Sequence, residues 1–155
     1  NVHEFHEKLM HEESVLADIV RVGKKKQEIL LKSSAEGLDE IIREEEELQK
    51  KALCAKKQIE TWKNEHCPDM KIKDFIEKHC GEAAENLKNT REHILSLVNE
   101  IRTINESNTI LLKYSLSFID LTMRVLSGEK RDSKLYSQKK SYNIPGSFRL
   151  VSFKA

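Results

Sequence analysis

The sequence predicts an all-α fold: an elongated antiparallel bundle of three long helices and one short helix, followed by a C-terminal tail. Three observations lead there. Only 5 glycines and 2 prolines occur in 155 residues, and 34% of the residues are charged, which is the composition of long helices and coiled coils. Apolar residues return at three- and four-residue steps through four segments. Short breaker sequences separate those segments.

The first helix is expected over about 2–33. Phe5, Leu9, Leu16, Ile19, Val20 and Leu30 form its stripe, with Gly23 a soft spot inside it. Ser33-Ser34 and Gly37 interrupt the pattern. A second helix follows over about 38–65, carrying Leu38, Ile41, Ile42, Leu48, Ala52, Ala55, Ile59 and Trp62. Its EEEE run at 44–47 precedes Lys50-Lys51, so carboxylates and ammonium groups can pair one turn apart. Pro68 ends that helix by removing a donor and forcing Cys67 into extended geometry. A short helix over about 71–80 places Ile72, Phe75 and Ile76 on one side, and Gly81 breaks it. The longest run, about 82–126, has the stripe Ala83, Leu87, Ile94, Leu97, Val98, Ile101, Ile104, Leu111, Leu112, Phe118, Ile119, Val125 and Leu126. Ser127-Gly128 closes it with a glycine C-cap. Residues 1–128 therefore read as one helical domain and 129–155 as a basic, mobile tail with a Pro145-Gly146 turn.

Charge follows the same division. Lys plus Arg against Asp plus Glu is 12 to 15 over residues 1–65, 8 to 9 over 66–128 and 7 to 2 over 129–155. A net charge of +1 argues against a generally nucleic-acid-binding surface. The tail could stack bases on Tyr136, Tyr142, Phe148 and Phe153, but no basic groove elsewhere supports it, so nucleic acid is not an expected partner. Three cysteines without close pairing suit a reducing compartment. No charged-then-apolar leader opens the chain, which begins at Asn1, and the expected location is the cytoplasm.

Nothing in the pattern points to catalysis. There is no Gly-rich phosphate loop, no G-x-S-x-G and no H-E-x-x-H. A carboxylate-bridged two-metal bundle needs Glu-x-x-His on two helices. The residues three before His6, His11, His66, His79 and His93 are His3, Lys8, Lys63, Ile76 and Thr90, so that site fails on spacing. His66-Cys67 and His79-Cys80 flank the short helix and could in principle hold zinc. Adjacent residues rarely ligate one tetrahedral ion, however, and no Cys-x-x-Cys accompanies them. They read as helix-end polar groups and reduced thiols, Cys54 as a small core filler, and His3, His6 and His11 as a solvated face. No metal, cofactor or enzymatic activity is expected.

The informative stretch is the end of the long helix. From Ile110 to Leu126 it is apolar on most sides, yet Lys113, Asp120 and Arg124 interrupt it, so it does not span a bilayer. Leu111, Phe118 and Val125 share one direction, with Leu112, Ile119 and Leu126 beside them and Leu116 and Met123 widening that face. Ile110, Tyr114 and Leu121 lie around the back. Two neighbouring helices can cover the first set and have little left for the second. The stretch is therefore expected to meet the folded tail, a second copy of the chain, or a partner helix. Asn105 and Asn108 sit just before it, either as a register-setting polar layer or as the hydrogen-bonding rim of a groove.

The run I-x-x-I-N-x-x-N-x-x-L-L-x-x-x-L, formed by Ile101, Ile104, Asn105, Asn108, Leu111, Leu112 and Leu116, resembles the FlgN family of bacterial flagellar export chaperones. The order of elements agrees: two amphipathic helices, a K-I-K-D-F-I helix at Lys71–Ile76, one long helix and a polar tail with Tyr142 shortly before Gly146. The resemblance implies a cytoplasmic chaperone that binds the C-terminal segments of the hook–filament junction proteins FlgK and FlgL. It would prevent their early association and deliver them to the type III export gate and its ATPase. Combined with the apolar excess, it puts the partner-binding residues at Asn105, Asn108, Leu112, Leu116, Ile119 and Met123, with Tyr136, Tyr142, Phe148 and Phe153 of the tail. The alternative is a scaffolding coiled-coil protein that uses the same helix end as a homo-oligomer seam.

Overall fold

The computed structural model describes residues 2–32, 35–79 and 81–128, and of His79 the backbone alone. Helix α1 runs Val2–Leu31, α2 Leu38–His66, α3 Ile72–His79 and α4 Ala84–Leu126, with a 3₁₀ turn at Gly81–Ala83. The described residues are almost entirely helical and contain no strand. The expected all-α bundle is what forms. Its helix limits shift by a residue or two. The N–H of Cys67 still bonds Lys63 O at 2.8 Å, so α2 continues to His66 before Pro68 stops it. The chain enters α4 through the 3₁₀ turn rather than directly.

Helix α1 is the centre of the bundle. It packs along both α2 and α4, while the backbones of α2 and α4 approach each other far less. It therefore buries ten residues, against seven in α2 and six in α4. That position explains why Val15, Val22, Gly23 and Lys26 are buried as well as the single stripe expected from spacing. A helix between two neighbours needs a wider apolar face than one with a single partner.

Phe5 against Trp62 and Arg21 against Glu44 set α1 and α2 antiparallel. Glu13 against His93 and Gln27 against Ser107 set α1 and α4 parallel, both pairs 80 residues apart. At the α1 N-terminal end, Phe5 stacks on Trp62 with centroids 4.5 Å apart, and Phe75 meets their rings edge-on at 5.7 and 5.3 Å. Such pairs contribute about 0.5–1.5 kcal/mol beyond their area burial, and they tie α3 to the other helices. Cys54, expected in the core, is exposed. The covered stripe of α2 runs through Ala52 and Ala55, and Cys54 sits one position too far around the helix.

Gly23 is where α1 and α4 come closest. A Cβ there would lie 2.8 Å from Ile104 Cγ2. Ile104 is 8% exposed and stiff at χ1, so it cannot swing aside cheaply. In an open helix Gly23→Ala would stabilise by about 1 kcal/mol. Here overpacking, at about 1–3 kcal/mol, wins, and thermal unfolding should show Gly23→Ala below the parent.

Glu12 is partly buried against α2, and burial raises its carboxyl above the ordinary value; Lys56 pulls it down and Glu60 pushes it up. A raised folded-state value means the native chain holds the proton more tightly than the unfolded chain. Stability is then lost as pH rises from the unfolded value, about 4.3 for a glutamate, through the folded one. Glu12→Gln should be more stable than the parent at pH 7 in urea titrations, with the advantage shrinking as the pH falls below that window.

Candidate functional site

The candidate site is the end of α4, and its geometry begins with register. Glu13 with His93 and Gln27 with Ser107 are each 80 residues apart, which puts Leu31, the last residue of α1, about level with Leu111. Helix α2 begins at the same level, since Gly37 lies beside Ile29. Helix α4 continues to Leu126, an overhang of about 22 Å at about 1.5 Å per residue. Among the described residues nothing covers it.

Asn108 marks the last covered turn. It is 2% exposed, and its Nδ2 donates to Gly23 O at 3.0 Å. Its Oδ1 has no hydrogen-bond partner among the described residues. The missing side chain at Gly23 both admits Ile104 and leaves the carbonyl within reach of Asn108. Of the two readings of the asparagines, this one is a polar layer inside the bundle, and a displaced register would strand its amide. Asn105, half-buried one turn earlier, stands at the edge of the same seam. Gln27 Nε2 donates to Ser107 Oγ at 2.7 Å beside it, and Lys24 pairs with Glu100 at 2.6 Å. Polar contacts thus lock α4 to α1 just below the overhang.

Beyond that lock the apolar side chains open to solvent. Leu112 is half-buried, while Leu116, Ile119 and Met123 are 42, 57 and 63% exposed. These four continue the stripe that α1 covers lower down through Leu97, Ile101 and Ile104. The set expected to be coverable by two helices is exposed because both neighbours stop short. Ile110, Tyr114 and Leu121 on the back are exposed too. Exposed apolar side chains concentrated on one helix segment are the mark of an interaction surface. Tyr136, Tyr142, Phe148 and Phe153 lie outside the described residues.

The rest of the molecule offers less. A cleft of about 320 Å³ at the far end of the bundle is lined by His66, Cys67, Pro68, Asp69, Met70 and Phe75. The His66 ring there is stacked on Trp62 and its Nδ1 bonds Trp62 O at 2.9 Å. Cys67 is buried, and the His79 side chain and Cys80 lie outside the described residues. Among the described residues no group of three or more His, Cys, Asp or Glu side chains could hold a metal, and no helix is long and apolar enough to cross a membrane. His3 and His11 are exposed and His6 half-buried. Neither the pairing of Lys26 with Glu45 nor the contact of Gly23 with α4 is marked by a motif in the sequence. Lys26 follows Ile19, Val22 and Gly23 at helical steps on the buried face, which is the signal that could have found it.

No curated protein and no solved structure matches the chain. A family model described as FlgN protein matches residues 1–144, taking in the bundle and the overhang. The chain belongs to the FlgN family.

Proposed function

We propose that this protein is a cytoplasmic chaperone of type III flagellar export that holds the C-terminal segments of FlgK and FlgL on the overhang of α4. It keeps these hook–filament junction proteins from associating early and passes them to the export gate and its ATPase. The FlgN family is one of flagellar export chaperones rather than of enzymes, and that membership supports the class of activity. The observation that carries the site is that the seam stripe of α4 runs on, uncovered, past the ends of both neighbours.

An amphipathic client segment laid along Leu112, Leu116, Ile119 and Met123 would take the place that α1 holds lower down and so extend the bundle. Asn105 edges the groove, and Asn108 fixes where it starts. Of the tail residues, Tyr136 and Tyr142 complete the client site by closing over it. Ordering a disordered client segment costs about 2–5 kcal/mol of the gross contact energy, which suits a partner that must be released again.

Calorimetric titration with the C-terminal segments of FlgK and FlgL from the same organism tests this directly. Saturable binding with a negative heat-capacity change is the expected result, because apolar surface is buried. No heat from either segment, together with a dimer whose mass does not change on dilution, would replace the reading with a scaffolding homo-oligomer.

A further inference from the structure

A second apolar stripe on the overhang has no place in that reading. Ile110, Tyr114, Phe118, Leu121 and Val125 follow at four-, four-, three- and four-residue steps and are 54, 72, 70, 52 and 70% exposed. That spacing makes a continuous seam along one side of a helix. At about 100° per residue the stripe lies roughly opposite Leu112, Leu116 and Met123. Lys113, Asp120 and Arg124 separate the two on one flank, with Arg124 and Asp120 paired at 2.8 Å. A helix seated on one stripe leaves the other in water.

We infer that the second stripe is the docking face for residues 148–153 of the same chain, leaving the seam stripe to the client. Two observations select that occupant. Twenty residues separate Gly128 from Phe148, enough chain to reach any point along the about 22 Å from Ile110 to Val125. The segment itself, after the Pro145-Gly146 turn, supplies Phe148, Leu150, Val151 and Phe153. A stripe of this length and apolar content needs such a partner, and the bundle has no described element that reaches it.

The inference deepens the docking reading above by dividing α4 between two occupants, but its test requires no client. A photo-crosslinking residue is placed at Leu121 in the full-length chain, and another, separately, at Met123. Both positions are exposed, so folding is preserved. At dilute concentration the Leu121 probe should join peptides containing 148–153 within one chain, several-fold more than the Met123 probe. Phe148→Ser with Phe153→Ser should remove that product. Crosslinks between two chains would assign the stripe to a second copy and overturn the proposal. Equal yields from the two positions, or no product with 148–153, would overturn it as well. Neither failure would bear on client binding at the seam stripe.

Discussion

Leu116→Asp combined with Ile119→Asp should abolish measurable binding of the FlgK and FlgL C-terminal segments while leaving the fold intact. Both side chains are exposed in the free protein, at 42 and 57%, so the change should stay within about 0.5 kcal/mol of the parent in thermal or urea unfolding. In the complex the same positions would face an apolar partner surface. Two carboxylates desolvated there without partners cost several kcal/mol, which is more than about a hundredfold in affinity. Lys113→Ser, on the polar flank of the same helix, serves as the control and should bind as the parent does. Parent-like affinity in the double variant would remove the seam stripe from the site.

The largest effect on the fold itself should come from Lys26→Met. Lys26 Nζ and Glu45 Oε2 are 2.6 Å apart, with side chains only 4 and 7% exposed, between α1 and α2. Methionine keeps most of the stem but leaves the Glu45 carboxylate buried without its ammonium. Breaking such a pair from one side costs about 3–5 kcal/mol, a large part of what a domain of this size has to lose. In urea the midpoint should fall with little change in slope. Lys26→Met with Glu45→Leu should recover most of the loss, since a well-packed apolar pair often equals or exceeds a buried ion pair. If the single variant unfolded like the parent, Glu45 would have to reach water in the native state.

How much of this was legible in the sequence depended on whether the signal was local. The four helices were, because Pro68, Gly81 and Gly128 break the chain and the apolar steps of three and four recur between them. So was the oddity of α4, since no single stripe contains Ile110, Tyr114 and Leu121 together with Leu112 and Ile119. Gly23 was visible only as a weak point in a helix. Its use, letting Ile104 and Asn108 of α4 in close, belongs to a pair of residues some 80 positions apart, and no single segment records it. Lys26 stands in a run of three lysines, Lys24–Lys26, and charge in a sequence carries no statement of depth. Cys54 went the other way, as one position of rotation separates a core residue from a surface one.

By itself, then, the sequence determined the helices, their ends, the absence of familiar catalytic motifs and the surplus of apolar residues at the end of the long helix. Periodicity and breaker residues act over a few positions, so these can be read along the chain. Only the tertiary structure decided which helix is central, where α1 and α2 stop against α4, and hence which apolar residues are left uncovered. Those outcomes depend on register between distant helices. Register is fixed by contacts such as Gly23 with Asn108 and Gln27 with Ser107, which exist only once the chain has folded.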